Sequence, residues 1–151
     1  MTDIQPGRLE RTLPVQRLQD GLRWLLGGFL ILMGVLHFAR TDLFVQIVPP
    51  FLPWPFALVW LSGVAEIVLG VTVLIPSTRR LAAWGIILLL IAVYPANIYM
   101  AVANVQVQGL PAWIPPPTPR ALWLRLPFQF VLMAWAWWCA RPRPASASHR
   151  A

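Results

Sequence analysis

An apolar run at residues 54–75 is the strongest constraint in this sequence. It has about the 20 residues that an α-helix needs to cross the hydrocarbon core of a bilayer. Glu66 lies near the middle of the run, and it is the only acidic residue in any apolar segment of the chain. A carboxyl group at that depth is costly unless it is protonated, paired or hydrated. The run therefore predicts a spanning helix that carries one polar group in need of a partner.

Composition extends this interpretation to the whole chain. Of the 151 residues, 58% are hydrophobic and 11% are charged, whereas a soluble domain has about 25% charged residues. The formal charge of +7 comes from arginines that flank apolar runs. They form no basic helix face long enough to follow a groove of DNA or RNA. We therefore expect the lipid bilayer as a partner and no nucleic acid. The single cysteine, Cys139, excludes an internal disulfide or a CxxC redox pair.

Four apolar runs predict an all-α fold, a four-helix transmembrane bundle. The runs are residues 22–38, 54–75, 81–102 and 121–140. They divide the chain into a cytoplasmic N-terminal segment (1–20), a transmembrane domain (21–140) and a disordered cytoplasmic tail (141–151). The proline-rich segment 47–55 cannot form a regular helix, and we expect it at the membrane interface.

Arginine placement predicts the orientation of this bundle. Nine arginines lie in the N-terminal segment, at the start of the first run, in the loop after the second run or in the tail, and the other three are Arg40, Arg120 and Arg125. Because the positive side of a membrane protein is cytoplasmic, both termini are expected in the cytoplasm.

Each predicted helix carries polar side chains in the half that faces away from the termini. Glu66, for example, lies roughly 18 Å from the outer start of its helix at 1.5 Å per residue. Because such groups occur at overlapping depths on four helices, we expect one shared ligand pocket that opens outward, with Glu66 at its floor. The predicted pocket residues are His37, Glu66, Tyr94, Asn97, Arg125 and Gln129.

Structural roles compete with ligand binding at these positions. Glu66 could instead lock helix packing by pairing with His37 or Arg125, and Arg125 could instead be an interface anchor. Asn97 and Gln129 could form a hydrogen bond between helices. One intramembrane histidine and one glutamate do not suffice for a metal site, and no catalytic residue is assigned.

Glycines accompany the polar groups on two of the predicted helices. Gly63 and Gly70 share a helical face with Glu66, and Gly27 and Gly34 lie on one side of the first helix. Small residues on such a face allow a neighbouring helix to approach closely. We therefore expect another helix to pack near the carboxyl group of Glu66.

Six segments resemble, in matching order, the DoxX family of small bacterial membrane proteins. They are GVLHF, IVPPFLPWP, SGVAEIVLG, PSTRRLAAWG, LIAVYPANIYM and LRLPFQ, all within residues 20–140. The resemblance implies a four-helix protein of the bacterial cytoplasmic membrane, associated with redox metabolism through a membrane or periplasmic oxidoreductase. The residues that match recurrent family positions are His37, Glu66, Pro95, Asn97 and Gln129.

Two main hypotheses of function follow. The first is an accessory subunit that binds a quinone-like or lipid ligand, with quinone as the candidate cofactor, or a partner oxidoreductase. The alternative is a small proton-coupled transporter or channel subunit in which Glu66 carries the proton. A membrane enzyme with its own activity is less expected, because no nucleophile or cofactor motif is visible. Ligand, partner and a homo-oligomeric state are left open.

Overall fold

The computed structural model describes residues 7–141, with side chains from residue 17 onward. Within these residues the chain is all-helical and contains no strand, which confirms the predicted all-α class. The helices are α1 (Gly7–Ala39), α2 (Thr41–Val45), α3 (Pro55–Leu74), α4 (Arg79–Val102) and α5 (Pro119–Ala140). Parts of the two predicted terminal segments, residues 1–6 and 142–151, lie outside the described residues.

The boundaries of α3, α4 and α5 lie close to the predicted ones, for identifiable reasons. Proline occupies the first turn of both α3 and α5, where its missing N–H costs no helical hydrogen bond. Thr118 caps α5, because its hydroxyl oxygen accepts a hydrogen bond from the amide of Ala121 at 3.3 Å. These local signals are readable in the sequence.

The first helix is longer than expected, since α1 begins at Gly7 and not near residue 22. Hydropathy was the basis of that prediction, and hydropathy reports which residues suit a bilayer. It does not report where a helix begins in water or at an interface. The helix α2 was also not predicted, because five residues carry too little periodicity to distinguish a turn of helix from a loop.

Three helical segments are long and apolar enough to cross a membrane, namely Arg17–Ala39, Pro55–Leu74 and Arg79–Val102. Their outward faces carry large apolar side chains; Val64, Val68 and Val71 of α3, for instance, are each about half exposed. Exposed apolar surface of this extent indicates a membrane-associated protein. The helix α5 is similar in length, but its arginines, Gln129 and tryptophans make it less apolar.

The helices α1 and α3 are packed in close contact through paired glycines. A Cβ atom added at Gly34 would lie 2.6 Å from the carbonyl oxygen of Gly63, and one at Gly27 would lie 2.8 Å from that of Gly70. Neither contact is sterically allowed, so only glycine permits this approach. The expectation that a neighbouring helix packs on the glycine face of α3 is confirmed.

One apolar core joins all four long helices near the end of the molecule that contains the short α3–α4 loop. It comprises Leu26, Leu30, Val73, Ala82, Ile86, Ala136 and Cys139. Here α3 packs on α4, α4 packs on α5, and α1 contacts α5, with the amide of Gln19 donating to the carbonyl of Trp138 at 2.9 Å. The molecule thus consists of two closely packed helix pairs, α1 with α3 and α4 with α5, joined at this core.

At the opposite end, the residues on either side of α2 form hydrogen bonds with the long loop between α4 and α5. Gln46 and Gln108 form a reciprocal pair, in which the Gln46 amide donates to the Gln108 carbonyl at 3.2 Å and its oxygen accepts from the Gln108 amide at 2.8 Å. The guanidinium of Arg40 donates to the carbonyl of Gly109 at 2.7 Å. Gly109 has a φ of 82°, which disfavours a side chain at this contact.

Candidate functional site

Glu66 of α3 and His37 of α1 lie side by side. Oε2 of Glu66 is 3.1 Å from Nδ1 of His37, and the two side chains are 16% and 11% exposed. The same Nδ1 lies 2.8 Å from the carbonyl oxygen of Met33, one turn earlier in α1. Two acceptors facing one ring nitrogen require a hydrogen on that nitrogen, so Nδ1 donates. Of the two partners that the sequence suggested for Glu66, the structure selects His37 over Arg125.

Packing holds the His37 ring in this position. Phe44 of α2 stacks on it with ring centroids 3.9 Å apart, and Gly63 of α3 lies against its Cβ. The hydroxyl of Thr41 donates to the carbonyl of His37 at 2.7 Å and accepts from the indole of Trp60 at 3.2 Å. Because α2 supplies both Phe44 and Thr41, the unpredicted helix orients a predicted site residue.

Asn97 of α4 and Gln129 of α5 form the second polar pair. The Asn97 amide donates to Oε1 of Gln129 at 2.7 Å, and the Gln129 amide donates to the carbonyl of Leu90. This carbonyl precedes that of Ile91, which Pro95 leaves without its helical N–H partner. Gln129 is 3% exposed and engages both ends of its amide, which fits the alternative role as a hydrogen bond between helices.

A cavity of about 790 Å³ brings these groups together between the two helix pairs. Five of the six predicted pocket residues line it, namely His37, Glu66, Asn97, Arg125 and Gln129. Most other lining residues are apolar, and Glu66 and Arg125 are the only aspartate, glutamate, lysine or arginine residues among them. The arrangement is an apolar chamber with a few polar groups, a form typical of ligand sites.

Tyr94 is the exception among the predicted residues. It lies outside the lining of the cavity and packs edge-on against Phe130, with ring centroids 5.6 Å apart. Three helical residues turn through about 300°, so Tyr94 and Asn97 point about 60° apart. That difference directs Tyr94 toward the outer side of the α4–α5 contact.

Arg125 lines the cavity without pairing with an acid among the described residues. Its Nη1 lies 3.4 Å from the sulfur of Met100, a weak acceptor, and the residue as a whole is exposed. The guanidinium therefore keeps donors for solvent, a headgroup or a ligand.

The segment between α2 and α3 forms the wall of the cavity at the end away from the core. Ile47, Val48 and Leu52 all line the cavity, and Pro49 is fully buried there. The sequence predicts an interfacial position for this segment and assigns no lining residue to it. Its alternation of apolar residues and prolines was the available signal, but periodicity does not reveal which way an irregular segment folds.

The cavity also reaches the sides of the molecule. Leu61 of α3 and Leu88 of α4 line it and are 67% and 65% exposed, and Phe29 of α1 and Phe128 of α5 line it and are about half exposed. Because these four residues line the cavity and are also exposed, they mark the openings between the two helix pairs. These openings lie along outward faces made of apolar side chains.

Fold and cavity together define an all-helical, membrane-associated protein with a histidine–glutamate pair in the wall of an apolar chamber. A family model described as a domain of unknown function (DUF8561) matches residues 26–140, and the chain belongs to this family. The matched range contains all five predicted residues that line the cavity. No curated protein and no solved structure matches the chain.

Proposed function

We propose that this chain is a multi-pass protein of the bacterial cytoplasmic membrane, in which α1, α3, α4 and α5 form a four-helix transmembrane bundle with both termini in the cytoplasm. Three apolar helices support the membrane assignment, and the packing of α5 against α4 supports its inclusion. The excess of arginines on the side of the termini supports the orientation. The likeness to DoxX proteins supports the compartment.

Within that membrane, the protein binds a quinone-like or other lipid ligand in the cavity and serves as an accessory subunit of a redox system. The observation that carries this proposal is the His37–Glu66 pair in the wall of an apolar chamber of about 790 Å³. Lining residues exposed on apolar outer faces favour a ligand that is dissolved in the bilayer. The redox association and an oxidoreductase partner rest on the DoxX resemblance. A homo-oligomer is compatible with this role.

Native mass spectrometry of the purified protein tests this function. The informative variant replaces both members of the pair, His37→Phe with Glu66→Leu, because removing one member alone leaves the other without its partner. Asp42→Leu is the matched control, an acid-to-leucine change outside the cavity lining. Wild type and control should carry a small apolar molecule that the paired variant loses. A wild type without bound ligand, or a paired variant that retains it, contradicts the proposal.

Proton-coupled transport is the second candidate function. It is favoured by the position of Glu66, an acid that lines a cavity inside the bilayer-length helix α3. A carboxyl group of this kind can bind and release a proton as a substrate passes. Proteoliposomes with an internal pH dye would report such coupling, and full proton flux in a Glu66→Gln variant would exclude Glu66 as the carrier.

A further inference from the structure

We infer that the ligand of this cavity has a neutral head group that both donates and accepts a hydrogen bond, as a hydroxyl does, joined to an apolar tail. The inference rests on the proposed function and specifies the ligand class for the same site. Of the two redox forms of a quinone, it selects the reduced one, the quinol. The inference follows from how the hydrogens of the His37–Glu66 pair are distributed.

The first step concerns the atoms that the protein already uses. Nδ1 of His37 carries a hydrogen, because the carbonyl oxygen of Met33 lies 2.8 Å away and a nitrogen lone pair would repel it. Oε2 of Glu66 lies 3.1 Å from the same nitrogen but is not aligned for a hydrogen bond of its own. Nδ1 is therefore committed to Met33, and Oε2 is buried against the ring, where a ligand cannot reach it.

The second step concerns the atoms that remain. Oε1 of Glu66 and Nε2 of His37 have no hydrogen-bond partner among residues 17–141. The pair as a whole is neutral when it holds one proton besides that on Nδ1, and an unbalanced charge in an apolar wall is costly. That proton lies either on Oε1 or on Nε2. In both cases the pair offers one donor and one acceptor to a ligand.

The third step matches a head group to this pattern. A quinone carbonyl can only accept, so one of the two positions stays unsatisfied, and leaving a buried polar group unpaired lowers affinity. An ammonium head would add a positive charge to a cavity that already contains the Arg125 guanidinium. A hydroxyl donates and accepts in either arrangement of the proton. The apolar lining that surrounds the pair is suited to the tail.

Calorimetric titration of the full-length protein in nanodiscs, under anaerobic conditions, tests this preference. The probes are a decyl-substituted benzoquinol, its quinone and its dimethyl ether, which share size and tail but differ in hydrogen bonding. Wild type should bind the quinol at least about tenfold more tightly than the dimethyl ether, and also more tightly than the quinone. In the variant His37→Phe with Glu66→Leu, the affinity for the quinol should fall to that for the dimethyl ether, so that the preference disappears. Glu66→Gln should keep the preference, since its amide and the imidazole still supply a donor and an acceptor.

The outcomes separate this inference from the proposed function. If wild type binds the dimethyl ether as tightly as the quinol, the cavity is a ligand site but the head-group inference is wrong. If decylamine binds more tightly than the quinol, the site recognises a cation and the inference is wrong for that reason. If wild type binds none of the three quinone-type probes, the quinone-like function and the inference both fail.

Discussion

At the scale of single residues, Glu66 and His37 depend on each other more than on their own helices. The imidazole N–H is the one donor near the carboxyl among the described residues, and the carboxyl is the one acid near the imidazole. Removing His37 therefore leaves Glu66 in an apolar wall without any donor. Removing Glu66 is milder, since the ring still donates to Met33.

This difference predicts non-additive stabilities. His37→Phe should lower the free energy of unfolding by about 1–3 kcal/mol, because it leaves an unpaired acid. Glu66→Leu should lower it less. The double variant should be more stable than the sum of the two losses predicts, because an apolar pair replaces the whole polar one. Unfolding in mixed micelles measures all three, and strictly additive losses would show that the pair is not coupled.

Gln129 has a different role, since its partners are Asn97 and a backbone carbonyl. Gln129→Leu should cost about 1–2 kcal/mol of unfolding free energy, because it leaves the Asn97 amide and the Leu90 carbonyl without this partner. Gln106→Leu is the control at an exposed position, and we expect it to stay within about 0.5 kcal/mol of wild type. Equal effects of the two substitutions would contradict a role for Gln129 in joining α4 to α5.

At the scale of elements, the α1–α3 contact explains why the pair can form at all. Gly34 and Gly63 bring the two backbones together one turn away from His37 and Glu66. Helical periodicity predicted which face of each helix carries the glycines. It could not predict that these two faces meet, because a face does not identify its partner.

Glycine substitutions in α1 should therefore differ sharply by face. Gly34→Ala should destabilise the protein by about 1–3 kcal/mol, because its Cβ would clash with the Gly63 carbonyl and with Ile67. Gly28→Ala is the matched control in the same helix, and nothing lies within 4 Å of its added Cβ. The control should be neutral or slightly stabilising, since alanine favours helices. Thermal unfolding compares them, and similar midpoints would contradict the close approach of α1 and α3.

Substitution at Gly85 separates a backbone clash from a side-chain clash. A Cβ there would lie 2.5 Å from a terminal methyl of Leu69, which can rotate away, whereas the neighbour at Gly34 is a backbone oxygen. Gly85→Ala should consequently fall between Gly34→Ala and Gly28→Ala in unfolding free energy. A loss at Gly85 larger than that at Gly34 would show that α3 and α4 pack more rigidly than α1 and α3.

At the scale of the whole molecule, the sequence predicted the polar residues that line the cavity better than the segments that enclose it. Depth along four apolar runs was enough to bring five polar residues to one chamber, because helical rise is constant. The direction of Tyr94 and the inward fold of segment 46–54 depend on tertiary contacts with Phe130 and with the α4–α5 loop. Such contacts leave no local pattern in the chain. The same limit applies to α2, whose contribution is to hold His37 in place.

Membrane topology is the whole-molecule property on which the proposed function depends most. Single cysteines at Ser77, Ala112 and Arg141 would report it, since each wild-type residue is exposed and lies at or beyond a helix end. The native Cys139 is buried, so wild type gives a low background. In intact bacterial cells, a membrane-impermeant maleimide should label the cysteine at position 112. The cysteines at 77 and 141 should react only after permeabilisation, because the proposed orientation places the arginine-rich side in the cytoplasm.

Each alternative topology has its own labelling pattern in this experiment. Labelling at 77 but not at 112 in intact cells would mean that the orientation is reversed. Labelling at both 112 and 141 would mean that α5 stays on the outer side and that only three helices cross. In that case Gln129 and Arg125 could not lie in a cavity between four spanning helices, because α5 would lie in water or at the interface, outside the hydrocarbon core. Labelling at position 141 therefore tests whether α5 crosses the membrane. Among the four long helices, α5 is the one whose hydropathy alone does not indicate a membrane span.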